Sequence, residues 1–144
     1  MSLFDKLQYS RQEKLNKEKE AGLAFMQENK KKEGVQELPG GIQYQILKEG
    51  NGTKPSPSSK VKAHYRGALL DGKEFDSSFK RNQPFTAGLT QLIKGWQEAL
   101  ILMPVGSTWR LWIPSDLAYG DYGTGGIPGG ATLMFDVELL EIVS

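Results

Sequence analysis

Aromatic side chains recur along residues 65–135 in a number and spacing that one apolar pocket could use. The set contains one Trp, two Tyr, three Phe and an Ile three residues before the Trp: Tyr65, Phe75, Phe85, Ile93, Trp96, Tyr119 and Phe135. Small-ligand sites are apolar cavities with a few polar groups that orient the ligand. Residue types alone are typical both of such a binding cup and of an ordinary hydrophobic core, so both interpretations stand at this point.

The residues needed for nucleophilic, metal or phosphate chemistry do not stand out. The chain has no cysteine, and its one histidine, His64, falls on the polar side of a predicted strand. No Gly-x-Ser-x-Gly elbow accompanies it, and no His, Cys or carboxylate cluster has the spacing of metal ligands. The glycine-rich stretch 120–130 has neither dinucleotide-binding nor Walker spacing. We therefore expect no cofactor and no metal.

Composition narrows the function classes further. A chain of 144 residues with 38% hydrophobic and 24% charged residues is typical of one globular domain, with or without an appendage. A net charge of +1 gives no electrostatic footprint for nucleic acid. No apolar run approaches the roughly 18–20 residues that span a bilayer. We expect no nucleic-acid partner and no membrane span.

The elements that must position the aromatic set are one short helix and several strands. Apolar residues at 92, 93, 96, 99, 100 and 103 predict a helical face, with Thr90 as its N-cap and Pro104 at its end. Alternating or turn-bounded stretches predict strands at 42–46, 61–67, 74–76, 109–113 and 132–139. An antiparallel sheet of five to six strands wrapped around the helix covers its one apolar face. The fold class is therefore α+β.

Residues 1–38 differ from residues 39–144 and predict a charged helical extension and linker before the domain. The apolar stripe of this helix is thin: Leu7, Leu15, Leu23 and Met26. The extension is either a solvated helix or an element that pairs with a second copy into a homodimer. A third interpretation, a tether for another protein, predicts a monomer.

Six ordered motifs between residues 41 and 143 identify a family. They lie at 64–67, 71–78, 81–85, 93–99, 118–120 and 131–140, and together they are similar to FKBP-type peptidyl-prolyl cis-trans isomerases. The stretches 25–35 and 38–44 resemble the linker of the bacterial macrophage-infectivity-potentiator subgroup, whose members dimerise through an N-terminal helical region. The glycine stretch has Tyr122 and Gly123 where some members carry a histidine.

The resemblance implies an FKBP-like fold and an enzyme that accelerates X-Pro rotation during protein folding. It places Trp96 at the floor of a pocket, Asp76 at its rim, and the Ile93 N–H and Tyr119 hydroxyl as donors to ligand carbonyls. The implied catalytic residues are Tyr65, Phe75, Asp76, Trp96, Tyr119 and Phe135. The implied residues for binding substrate or a macrolide are Arg81, Phe85, Leu92, Ile93 and Ile127.

The implied partners are proline-containing polypeptides and the macrolide inhibitors of this family. The alternative function is a chaperone-like module that binds unfolded chains with little turnover. A chain that is complete as printed would be cytoplasmic, and one that has lost a signal segment would be periplasmic or associated with the outer membrane.

Overall fold

The computed structural model describes residues 2–144, so Met1 of the predicted extension lies outside the described residues. Two α-helices and seven strands follow one another along the chain: α1 (Leu3–Asn29), β1 (Val35–Glu37), β2 (Gln43–Lys48), β3 (Lys60–Leu69), β4 (Glu74–Ser77), β5 (Phe85–Gly88), α2 (Lys94–Leu100), β6 (Thr108–Ile113) and β7 (Leu133–Ile142). The predicted α+β architecture, a long N-terminal helix before an antiparallel sheet with one short helix, is confirmed.

All strand pairs are antiparallel, in the order β1-β2-β6-β7-β3-β4, with β5 paired to β3. The sheet has seven strands rather than five to six. The two additional strands are β1 and β5, of three and four residues. Strands this short carry almost no alternation, so periodicity cannot reveal them.

The core lies between one face of the sheet and α2. Trp96, Ala99 and Leu100 of the helix are buried against strand residues such as Leu111 and Val137. The helix begins at Lys94, not at residue 92, and its N-cap is Ile93 rather than Thr90. The correction has a local cause, because residues 92 and 93 are still extended, with ψ near 163° and 152°.

Helix α1 has one exposed half and one docked half. A capping box starts it, since the Asp5 N–H donates to Ser2 Oγ at 3.1 Å and the Ser2 N–H donates to Asp5 Oδ2 at 3.4 Å. In its second half Gly22, Met26 and Asn29 are buried. None of the helices within residues 2–144 has the length and apolar character needed to cross a membrane.

The docked face differs from the apolar stripe seen in the sequence. Leu7 and Leu23 are exposed, whereas Gly22 and Asn29, which no hydrophobicity scale selects, are buried. The docked face contacts polar partners: Asn29 Nδ2 donates to Gln43 Oε1 at 2.8 Å, and Gln43 Nε2 donates to the Met26 carbonyl at 2.8 Å. Half of the helix is thus bound to the outer side of the sheet through amide contacts.

Candidate functional site

A cavity of about 270 Å³ opens between the start of α2, strands β3 to β5 and β7, and residue 119. Ten residues line it: Tyr65, Phe75, Asp76, Phe85, Gln91, Leu92, Ile93, Trp96, Tyr119 and Phe135. Nine of these ten were named from the sequence, and Gln91 was not. The structure therefore brings together, in one apolar cavity, ten residues that are spread along the chain from residue 65 to residue 135.

Trp96 is the centre of the aromatic set. Its ring centroid lies 5.4 Å from Tyr65, 5.6 Å from Phe85 and 5.4 Å from Phe135, with interplanar angles of 83°, 70° and 88°. Edge-to-face pairs of this kind contribute about 0.5–1.5 kcal/mol each beyond the area they bury. Because each ring is held by its neighbours, the floor and walls are pre-formed.

Gly67 on β3 makes room for two of these rings. A Cβ atom at this position would lie 2.7 Å from Phe75 Cζ and 2.8 Å from Phe135 Cε1, closer than carbon atoms approach without displacement. Phe75 and Phe135 contact each other edge-to-face at 5.7 Å, directly over the glycine. Gly67 thus lies behind the cavity wall and lets the two rings pack there, although it offers no side chain that residue type could have flagged.

Three polar residues form a hydrogen-bonded cluster at the rim. Tyr65 Oη donates to Asp76 Oδ2, Arg81 Nη1 donates to Asp76 Oδ1, and Arg81 Nη2 donates to Tyr65 Oη at 3.2 Å. Arg81 is not among the lining residues, because its guanidinium stands behind the carboxylate and half of its side chain is exposed. The cluster ties β3, β4 and the following turn together at the mouth.

The cluster changes the acidity of its members. Burial by itself raises the pKa of Asp76, but hydrogen bonds from Tyr65 and Arg81 and the Arg81 charge outweigh it, so the pKa lies below its ordinary value. Burial first, and then the hydrogen bond to Asp76, raise the pKa of Tyr65 against the opposing effect of Arg81. At neutral pH the rim therefore holds a carboxylate, a neutral phenol and a guanidinium.

Two hydrogen-bond donors at the cavity are free to meet a ligand. Within residues 2–144, neither the Ile93 N–H nor the Tyr119 hydroxyl has a partner. The Leu92–Ile93 peptide is held in place because Gln97 Nε2 donates to the Leu92 carbonyl at 2.7 Å. Gln97 was missed in the sequence, where one glutamine on a short helix carries no signal.

His64 is partly exposed and has a buried serine as its side-chain partner. Its Nδ1 lies 2.7 Å from Ser78 Oγ, and its ring stacks on Phe79 at 4.6 Å. Ser78 is fully buried and also accepts from the Tyr65 N–H at 2.7 Å. A buried serine cannot reach a substrate, so this Ser–His contact fastens the turn after β4 to β3 and is not a nucleophilic pair.

Ile127 is not among the residues that line the cavity, and its proposed role in binding stays a prediction. It is 6% exposed, belongs to the hydrophobic core, and forms an isolated bridge with Thr124 inside the glycine-rich loop. The described residues contain no group of three or more His, Cys, Asp or Glu side chains that could hold a metal ion.

Two protein-family models match the chain, one in its N-terminal part and one in the rest. The family model described as "FKBP-type peptidyl-prolyl cis-trans isomerase" matches residues 51–140, and the one described as "Domain amino terminal to FKBP-type peptidyl-prolyl isomerase" matches residues 1–46. The second match includes α1 and β1 and ends inside β2, so it continues past residue 38, where the predicted extension ends.

Similar curated proteins share about half of the residues aligned. The FKBP-type isomerase FkpA of Aeromonas hydrophila is 51% identical over 84% of this chain, and the FKBP-type 22 kDa isomerase of Escherichia coli is 48% identical over 85%. The chain spans only 45% and 60% of the length of these two relatives.

Solved structures give the same result at the level of the fold. The crystal structure of FkpA from Escherichia coli is 38% identical with a TM-score of 0.90, covering 94% of this chain and 63% of that one. An isomerase from Pseudomonas syringae pv. tomato is 42% identical with a TM-score of 0.84, covering 90% of this chain and 96% of that one.

Proposed function

The chain belongs to the FKBP-type peptidyl-prolyl cis-trans isomerase family, and from this premise we propose that its aromatic cavity accelerates rotation about X-Pro bonds in folding polypeptides. The observation that carries the proposal is the cavity itself: it has pre-formed aromatic walls and two unpaired donors at the mouth, and its ten lining residues include no Ser, Thr, Cys, His or Lys. A rotation needs no bond to be broken, so such a site is sufficient.

The apolar cavity acts on the barrier to rotation. Amide resonance sets a barrier of about 18–20 kcal/mol to cis–trans rotation, and an uncatalysed X-Pro bond takes about 10–100 s to isomerise. A twisted amide has lost resonance and is less polar than the planar one, so it loses less on leaving water. A proline ring stacked over Trp96 would place this amide between Tyr65, Phe75 and Phe135, where the twisted form is favoured.

The two free donors hold the flanking chain. The Ile93 N–H and the Tyr119 hydroxyl are the groups proposed to bind carbonyls on either side of the prolyl bond. Fixed donors stabilise a bound turn without the cost of reorganising water. Leu92 and Phe85 line the same cavity and are proposed to contact the residues next to proline.

Asp76 is proposed to shape the wall rather than to act on the amide. Each of its oxygens accepts a hydrogen bond, one from Tyr65 and one from Arg81, and these two bonds fix the orientation of the carboxylate in the wall. The alternative, direct contact with the twisted amide, predicts that removing the charge abolishes catalysis even when the cluster's geometry survives.

The experiment that tests the function is a protease-free isomerisation assay on a short X-Pro peptide, with and without a macrolide of the kind this family binds. Acceleration that the macrolide abolishes supports both the activity and the proposed macrolide site. A folded chain that does not accelerate exchange contradicts the proposal and favours the binding-module alternative, which suppression of aggregation of an unfolded protein would then test.

We further propose that the free half of α1 pairs two chains. Leu3, Phe4, Leu7 and Tyr9 are exposed on this half, and a homodimer would cover several of them. Light scattering should give twice the mass of one chain for the wild type and one mass for Phe4→Glu/Leu7→Glu, with Lys17→Glu as the charge control. A monomeric wild type would favour the tether interpretation instead.

A further inference from the structure

We propose that the second half of α1 is a positioning element for the active site, because it holds both ends of the loop that follows Tyr119. This inference rests on the proposed function of the cavity. Residues 120–130 are called the glycine loop here, and the helix contacts this loop on the side away from the cavity. The extension is therefore a supporting part of the site and more than a linker.

Backbone hydrogen bonds connect the glycine loop to Tyr119. The Gly130 N–H donates to the Gly120 carbonyl at 2.9 Å, which joins the two ends of the loop, and the Gly123 N–H donates to the Tyr119 carbonyl at 3.1 Å. A reciprocal pair of bonds between Thr124 and Ile127 closes its tip. A displacement of either end is thus transmitted to the backbone of Tyr119.

Helix α1 touches both ends. A Cβ atom at Gly130 would lie 2.8 Å from Leu15 Cδ1 and 3.1 Å from Lys19 Cγ, so the helix packs directly on the glycine backbone. Lys19 Nζ also lies 2.9 Å from Asp121 Oδ1, next to the other end. The helix bridges the base of the loop.

Two contacts set the position of α1 along the sheet: the close approach of Gly22 to Thr132 and the hydrogen bonds of Gln43. At Gly22 a Cβ atom would lie 2.3 Å from Thr132 Oγ1, two residues beyond the loop. One turn and two turns later, Met26 and Asn29 are fastened to Gln43 on β2. A side chain at residue 22 would lift the helix from the loop while leaving every cavity residue unchanged.

Gly22→Ala in the full chain is the first test, because it makes the helix collide with Thr132 without changing a cavity residue. If α1 had no positioning role, this variant would change the docking of the helix and leave kcat/KM unchanged. We expect kcat/KM for an X-Pro peptide to fall about three- to ten-fold, the range that one hydrogen bond to substrate controls. The double variant Gly22→Ala/Thr132→Ala, which removes the colliding oxygen, should recover most of the loss.

Lys19→Glu is the second test and leaves the packing intact. It sets a carboxylate against Asp121. Lys48→Glu makes the same charge change on an exposed position of β2, paired with Thr108 at the end of β6 that lies away from the loop. We expect faster amide hydrogen exchange at Gly123 and Gly130 in Lys19→Glu alone, and an activity loss that shrinks in 1 M salt, where the Debye length is about 3 Å. Exchange in β3 and β7 should stay unchanged.

A double-mutant cycle decides whether Tyr119 carries the effect. In a Tyr119→Phe background, Lys19→Glu and Gly22→Ala should cost no further activity, because the hydroxyl they position is absent. Equal losses in both backgrounds, or unchanged loop exchange in both single variants, would overturn the inference. An inactive wild type would count against the proposed function instead, whereas the exchange experiment needs no activity and would still decide whether the helix supports the loop.

Discussion

Replacing Trp96 by Leu removes the floor of the cavity. The side chain is 4% exposed and takes part in three edge-to-face contacts, with Tyr65, Phe85 and Phe135. At about 0.5–1.5 kcal/mol each, these contacts together contribute about 1.5–4.5 kcal/mol. We expect Trp96→Leu to lower the free energy of unfolding by about 3 kcal/mol, a loss that a domain stabilised by about 5–15 kcal/mol survives.

The loss of activity should be larger than the loss of stability explains. Without the indole, the three surrounding rings lose their common neighbour and the proline ring loses its stacking surface. We expect kcat/KM in the protease-free peptide assay to fall by more than about ten-fold, or about 1.4 kcal/mol in transition-state binding. Urea unfolding followed by far-UV circular dichroism, at the temperature of the assay, would show that the variant is folded.

Trp109→Leu is the matched control. Trp109 is 4% exposed and its ring stacks on Tyr44 at 4.4 Å, but it does not line the cavity. This variant should lose stability and keep kcat/KM within about two-fold of the wild type after correction for the folded fraction. A folded Trp96→Leu with wild-type kcat/KM would refute the role of the indole, and equal activity losses in both variants would reduce that role to general stability.

Three further predictions concern residues around the cavity. The pKa of Asp76 is lowered, so its contribution to stability is full above its unfolded-state pKa of about 3.9 and is lost as pH falls through the lower native value. Asp76→Asn should remove that dependence in urea unfolding on the acid side of about pH 4. Gly67→Ala should displace the Phe75 ring and cost about 1–3 kcal/mol in thermal unfolding. Gln97→Leu should free the Leu92 carbonyl and lower kcat/KM about three-fold at unchanged fold by circular dichroism.

Catalysis without the Asp76 charge would decide between the two roles considered for that carboxylate. If Asp76→Asn keeps most of its kcat/KM while its rim geometry is preserved, the carboxylate shapes the wall. If activity disappears in a variant whose Tyr65 and Arg81 contacts persist, the carboxylate acts on the amide itself. Comparison with Arg81→Gln, which leaves the carboxylate in place, separates a charge effect from a loss of the cluster.

Sequence patterns determined the family, the strands longer than five residues and most of the cavity. Alternation predicts one strand face at a time, and ordered motifs predict which aromatic residues share a site. Both signals are local, so they were sufficient for Tyr65, Phe135 and their neighbours. They were insufficient for Gly67, because what matters there is that no side chain separates it from the rings of Phe75 and Phe135. They were also insufficient for Gln97, because its hydrogen bond to the Leu92 carbonyl forms only where the backbone of Leu92 is extended.

Only the tertiary structure shows that the polar-looking outer face of the sheet is the surface on which α1 docks. Alternation along β6 places Trp112 opposite Trp109 and Leu111, on the side that also carries Arg110, yet Trp112 is buried. Its register partner Gln43 lies under α1 and is bonded to Asn29 and to the Met26 carbonyl. The sequence by itself fixes which residues are apolar and with what period they recur. Which surface a distant helix then covers depends on contacts between residues 14 to 110 positions apart, from Asn29 with Gln43 to Gly22 with Thr132. No local pattern encodes such a contact.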